Sequence, residues 1–170
     1  MLKAIFWDRD GVINEVTVVN NKPFSPRKFP DFKLIPGISE CFKKTRELGF
    51  KNIIVTNQPD IARTLMTVEA LNEMHVFLEK ELCVDEINVC PHDNSQCDCR
   101  KPLPGLIIKS AEKNNIDLTS SYIIGDTIRD IQAGKAAGCK TILLERNYNQ
   151  DALNLADYVI TNINEMFNFI

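Results

Sequence analysis

Asp8 and Asp10 stand one residue apart at the end of the apolar run Leu2-Lys3-Ala4-Ile5-Phe6-Trp7, with Gly11 directly after them. Two carboxylates at that spacing suit a divalent cation combined with nucleophilic attack and proton transfer. Taken alone, the four residues also read as an ordinary Asp-Gly turn after a strand. Three further segments decide between these readings. Thr56-Asn57-Gln58 follows Ile53-Ile54-Val55, Arg100-Lys101-Pro102 lies just ahead of a helical pattern, and Gly125-Asp126-Thr127-Ile128-Arg129-Asp130 follows Tyr122-Ile123-Ile124.

Together these segments hold what phosphoryl transfer requires. One carboxylate, Asp8, can act as nucleophile, while a second acid, Asp10, protonates the leaving oxygen and then deprotonates water. Asp8 and Asp126 are oxygen ligands of the kind that suits Mg²⁺, which neutralises the phosphate so that a carboxylate can approach it. Thr56 and Asn57 can hold phosphate oxygens, and Lys101 supplies fixed positive charge for the transition state. Gly11 lets backbone N–H groups come close to the phosphate.

A second constellation is Cys90-Pro91-His92 followed by Cys97-Asp98-Cys99. Three thiols and one imidazole form a closed ligand set for structural zinc, placed to order the loop that carries Arg100 and Lys101. Cys41, Cys83 and Cys139 lie scattered in apolar segments and read as small buried hydrophobes.

The elements that must position these groups alternate between short apolar runs and helical patterns, the mark of βαβ units and a parallel sheet. Strands are expected over 2–7, 51–56, 87–89, 121–124, 140–144 and 157–160. Helices are expected over 37–49, 67–82, 104–114 and 129–137, with a short helix at the end of the chain. A parallel sheet gathers the four polar segments at one edge. Residues 14–36, punctuated by Pro23, Pro26 and Pro30, read as a long loop that serves as a lid or binding flap. It is too short for a separate cap domain, so the site should be open. Trp7 reads as core, His75 as a partly exposed helix residue, and Arg63 as able to grip an anionic substrate.

A chain of 170 residues with 44% hydrophobic and 25% charged residues fits one globular domain over 1–170. A net charge of −3 and a pI near 5.4 argue against a nucleic-acid partner. No apolar run approaches the ~20 residues of a membrane span. A cytoplasmic, monomeric protein is the resulting expectation.

In this order, Asp-x-Asp-Gly, a strand ending in Thr, a Lys and Gly-Asp-x-x-x-Asp resemble the haloacid dehalogenase-like phosphohydrolases, over nearly the whole chain. The resemblance implies an α/β, three-layer Rossmann-like fold with a central parallel sheet. It also implies Asp8 as nucleophile, Asp10 as acid/base, and Thr56 and Lys101 as stabilisers of the phosphoryl group. Mg²⁺ would be held by the side chains of Asp8 and Asp126 and the carbonyl of Asp10, with Asp130 supporting the metal or Lys101 from behind. Asn57, Gln58, Arg63, Arg100 and Arg129 are the candidate substrate contacts.

The zinc-loop stretch through Pro104-Gly105 is similar to the branch containing heptose-bisphosphate and histidinol-phosphate phosphatases. Residues 8–14 and the Thr56-Asn57-Gln58…Ile61-Ala62-Arg63 pattern lean toward the heptose members, in which the residue matching Arg100 helps recognise substrate. Val16-Thr17-Val18-Val19 and Thr127 depart from the heptose pattern. The implied activity is a Mg²⁺-dependent phosphomonoesterase working through an aspartyl-phosphate on a small phosphorylated metabolite. Heptose bisphosphate is the first substrate and histidinol phosphate the alternative. An idle relative that only binds phosphate is the competing reading from another class.

Overall fold

The structure, a computed structural model, describes residues 1–93 and 97–170. Six parallel strands form the central sheet: β1 (Lys3–Trp7), β4 (Phe50–Asn57), β5 (Glu86–Cys90), β6 (Tyr122–Gly125), β7 (Lys140–Leu144) and β8 (Tyr158–Ile160), in the spatial order β5-β4-β1-β6-β7-β8. The chain leaves β1 toward β4 and β5, then returns to β6 on the other side of β1. Direction therefore reverses between β1 and β6, which makes their carboxyl ends the crevice of the sheet. Asp8 and Asp126 follow those two strands.

Helices α1 (Ile38–Glu47) and α2 (Val68–Glu81) cover one face, and α3 (Gly105–Asn114) and α4 (Ile128–Ala137) the other. Period-two alternation along β1 supplies both cores. Ile5 and Trp7 pack with Phe42, Met74 and Leu78, while Ala4 and Phe6 pack with Ile107 and Ala133. Trp7 is core as expected: it stacks on Phe42 at 4.5 Å, and its Nε1 donates to Asn52 Oδ1 at 3.1 Å. Thr67 caps α2 by accepting the Ala70 N–H, and Gly138, at φ 86°, ends α4 in the left-handed conformation that glycine adopts without steric cost.

Residues 14–36 differ from the expected loop. They contain an antiparallel hairpin, β2 (Thr17–Val19) and β3 (Lys22–Phe24), turned by Asn20 and Asn21 at φ 48° and 60°. Two consecutive positive φ values are the demand of a tight hairpin turn, which Asn tolerates best after Gly. Pro23 hides the second strand in the sequence, yet in a two-stranded ribbon it faces no central ladder. The final segment, Ile163–Asn168, is a 3₁₀ helix, and β5 extends to include Cys90. Cys41 and Cys139 are buried as expected, whereas Cys83 is only half-buried. Among the described residues no helix is long and apolar enough to cross a membrane.

Candidate active site

Three of the four polar segments extend from the carboxyl ends of β1, β4 and β6, and the fourth is brought to them by the loop between β5 and α3. Asp8, 8% exposed, accepts from Lys101 Nζ at 2.7 Å and from the Arg9 backbone N–H at 2.8 Å, both through Oδ1. Lys101, 3% exposed, also reaches Asp130 Oδ1 at 2.6 Å and donates to the Val55 carbonyl at 2.8 Å. Burial alone would lower the pKa of its ammonium group. Asp130 and Asp8 outweigh that effect and hold it above the ordinary lysine range. Asp130 also accepts from the Thr127 N–H and hydroxyl at the start of α4, so one carboxylate caps a helix and anchors a lysine.

Asp10 is gripped from three sides. Arg9 donates from Nε and Nη2, Asn14 Nδ2 donates at 2.9 Å, and Gln58 Nε2 donates at 2.8 Å. Burial would raise its pKa, but the Arg9 guanidinium and these hydrogen bonds bring it below the usual carboxylate range. Asp8 moves the other way, to about 6, through burial and then repulsion from Asp130. Asp126 is pushed well up by burial and by Asp8 and Asp130.

The donor set fits a divalent cation. Asp8, Asp126 and Asp130 each bring a carboxylate oxygen to within 4.8 Å of the others, and Asp126 Oδ1 is buried without a hydrogen-bond partner among the described residues. With Asp10 included, four carboxylates face two cations, Lys101 and Arg9, so full ionisation would leave two negative charges for a bound cation to balance. The cysteine cluster fits zinc equally well. Cys90 and Cys97 sulfurs are 3.7 Å apart, and His92 Nδ1 lies 3.4 and 3.3 Å from the Cys90 and Cys99 sulfurs. A tetrahedral zinc with ordinary Zn–S bonds sets its sulfurs about 3.7 Å apart.

Several expected site residues act on their neighbours rather than on the cavity. Asn57 clamps the Lys101 backbone, donating to its carbonyl and accepting its N–H, both at 3.1 Å, although it still lines the cavity. Gln58, 1% exposed, spends its amide nitrogen on Asp10 and on Thr56 Oγ1. Gly11 gives its N–H to the Asn14 carbonyl. The need for glycine comes instead from Asp126, whose Oδ2 would lie 2.0 Å from a Cβ at position 11, where φ is +87°.

Arg63, Arg100 and Arg129 do gather. With Arg27 from the flap they line a cavity of about 210 Å³ beside the acids, with Asp60 as the acid of that lining. Arg27 and Arg63 pair with Asp60, Arg63 also pairs with Asp93, and Arg100 donates to the His92 carbonyl at 2.6 Å.

Sequence reasoning missed two groups. His75 of α2 is half-buried with Nε2 3.3 Å from Arg9 Nη1, so it supports the guanidinium that grips Asp10. Tyr148 lies on the loop after β7 and donates its phenol to Asp126 Oδ2. For Tyr148 one signal was available: Arg146-Asn147-Tyr148-Asn149 follows a strand of the same sheet, so it must emerge at the same edge.

Known proteins resemble this chain over nearly its whole length. A D-glycero-beta-D-manno-heptose-1,7-bisphosphate 7-phosphatase from Yersinia pestis is 32% identical over 96% of this chain and 92% of its own length. The same enzyme from Escherichia coli K12 is 31% identical over 96% and 91%. A crystal structure of D,D-heptose 1.7-bisphosphate phosphatase from B. bronchiseptica, complexed with magnesium and phosphate, superimposes with a TM-score of 0.81. Its identity is 29%, covering 95% of this chain and 93% of that one. The family model for haloacid dehalogenase-like hydrolases matches residues 8–144, from the first acid of the site to the last residue of β7. Since that span encloses every acid and the lysine of the site, the chain belongs to the haloacid dehalogenase-like hydrolases.

Proposed function

We propose that this chain is a Mg²⁺-dependent phosphomonoesterase that removes the 7-phosphate of D-glycero-D-manno-heptose 1,7-bisphosphate through a phosphorylated Asp8. The carrying observation is the contiguity of two sites: an acid–lysine cluster suited to one phosphoryl group, and beside it a four-arginine cavity suited to a second anion. The likeness to the named heptose bisphosphatases supports the sugar.

The roles follow from the contacts. With Oδ1 held by Lys101 and the Arg9 amide, Asp8 Oδ2 is the oxygen left to attack phosphorus. A bond forms from Asp8 to phosphorus as the bond to the sugar oxygen breaks, and Asp10 hands that oxygen a proton. Arg9 keeps Asp10 ionised at rest, and the arriving phosphate dianion is the charge that raises its proton affinity. Asp10 then takes a proton from the water that releases phosphate from Asp8. Thr56, whose oxygen accepts from Gln58, has its own hydroxyl hydrogen for a phosphate oxygen, and Lys101 screens the charge between Asp8 and the phosphoryl group.

The side chains of Asp8 and Asp126 and the Asp10 carbonyl would hold Mg²⁺, with Asp130 behind Lys101. Bound there, Mg²⁺ supplies positive charge that lets two anions meet. Cys90, His92, Cys97 and Cys99 would hold a structural zinc. Arg63, Arg100 and Arg129 contact the second phosphate. One domain over 1–170, acting as a monomer in the cytoplasm, carries the reaction.

The test is phosphate release from both anomers of the heptose bisphosphate, the heptose 7-phosphate and histidinol phosphate, with Mg²⁺ or with chelator. A bisphosphate should be preferred, Mg²⁺ required, and Asp8→Asn should lose roughly a thousandfold or more of kcat. Equal turnover of histidinol phosphate removes the sugar assignment. Wild-type turnover by Asp8→Asn removes the mechanism.

A further inference from the structure

We infer that Tyr148 is a positioning residue for the divalent cation: its phenol fixes one oxygen of Asp126 so that the other is presented to the metal. This rests on the reading of Asp126 as a Mg²⁺ ligand. The two oxygens of Asp126 stand in opposite situations. Oδ2 accepts the Tyr148 hydroxyl and occupies the space that a side chain at position 11 would need. Oδ1 is buried and without a hydrogen-bond partner among the described residues, and Asp126 shares the carboxylate cluster with Asp8 and Asp130. A carboxylate on a short side chain can turn about its terminal torsion at little cost, so something must choose which oxygen faces the cation. The absent Cβ of Gly11 opens the space for Oδ2, and the phenol supplies the directional bond that keeps it there.

The loop that carries Tyr148 is itself tied to the site. Asn149 Nδ2 donates to the Asp126 carbonyl at 2.8 Å and to the Leu144 carbonyl at 2.9 Å, and its Oδ1 accepts the Arg146 N–H at 2.9 Å. Arg146 Nη2 reaches across to the Gly11 carbonyl at 3.0 Å. Residues 146–149 therefore hold both flanks of the metal position, the loop after β1 and the loop after β6. Tyr148 is the member of this loop that touches a ligand side chain. Residues 146–149 do not line the cavity that Asp8, Asp10, Asn57 and Lys101 form, so the role is to hold the metal ligand in place.

Mg²⁺ binding is measured by calorimetry on the substrate-free enzyme, alongside the Mg²⁺ dependence of turnover. Tyr148→Phe keeps the ring and deletes the donor. It should raise the Kd for Mg²⁺ about tenfold, the usual cost of removing such a supporting group. Its half-saturating Mg²⁺ in turnover should rise in parallel, with kcat largely recovered at high Mg²⁺. Asp126→Asn is the reference and should abolish saturable binding. If Asp126→Asn loses Mg²⁺ while Tyr148→Phe binds within twofold of wild type or more tightly, the Tyr148 inference is overturned. A kcat loss in Tyr148→Phe that Mg²⁺ does not restore overturns it as well. Wild-type Mg²⁺ affinity in Asp126→Asn overturns the metal reading beneath it.

Discussion

At the scale of residues, the site consists of opposed charges whose balance depends on what is bound. Asp8 and Asp126 have pKa values above the ordinary carboxylate range and Asp10 below it, although all three are held within one small space. Burial raises all three. The Arg9 guanidinium with the Asn14 and Gln58 hydrogen bonds outweighs it at Asp10. At Asp8 and Asp126 repulsion from neighbouring acids adds to it, and Lys101, shared with Asp130, offsets only part. His75 belongs to the same balance. Burial, and then the Arg9 charge, lower its pKa from 6.5 to about 4, so the neutral ring accepts from Arg9. A base whose folded pKa is depressed takes up its proton first in the unfolded chain. Its contribution is full above pH 6.5 and lost as pH falls toward 4. In denaturant unfolding of the metal-free protein, His75→Gln should therefore lose less stability than wild type between those pH values. The difference should be roughly 2 kcal/mol after allowance for partial exposure. Parallel pH profiles for the two proteins would show that His75 titrates normally.

At the scale of elements, the lysine of the site is placed by a loop whose described residues belong to no helix or strand. Cys90 closes β5, Arg100 bonds the His92 carbonyl, and Lys109 of α3 pairs with Asp98. A Cβ at Gly105 would lie 2.1 Å from the Asp98 carbonyl oxygen, so only glycine lets α3 start against this loop. A zinc ion held by Cys90, His92, Cys97 and Cys99 would make this loop rigid. Elemental analysis should find about one zinc per chain. The double variant Cys97→Ser with Cys99→Ser should lose it along with about ten- to a hundredfold of kcat, the cost of misplacing Lys101 by a fraction of an ångström or more. Its Mg²⁺ affinity should stay near wild type, because Asp8 and Asp126 are carried by β1 and β6. Full activity in zinc-free protein would dismiss the structural role.

At the scale of the whole molecule, charge is distributed against its average. The chain carries −3 overall, yet four arginines converge on one cavity at the mouth of the site. Attraction of a bisphosphate to that mouth acts through solvent and must be screened. Raising ionic strength from 0.05 to 0.5 M should increase KM for the heptose bisphosphate about fivefold, and KM for the heptose 7-phosphate by less than twofold. Equal salt sensitivity for the two substrates would mean that the arginines do not read the second phosphate.

The sequence by itself determined the main strands of a parallel sheet and the acids, threonine and lysine at its edge, but not which strands lie side by side. Hydrophobic periodicity and turn residues are local properties, and a parallel sheet sends every loop that follows a strand to the same side. The four residues proposed as zinc ligands were visible in the sequence as well, because they lie within ten residues of one another. Only the tertiary structure showed that Gln58 and Asn57 are committed to Asp10, Thr56 and Lys101, because an amide in a loop carries no record of which neighbour it will meet. The same holds for His75 and Tyr148, whose partners lie 66 and 22 positions away. The Asn20-Asn21 hairpin was legible in its turn residues but masked by Pro23. What spacing along the chain cannot encode is contact between distant segments, and the orientation of each acid in this site depends on such contacts.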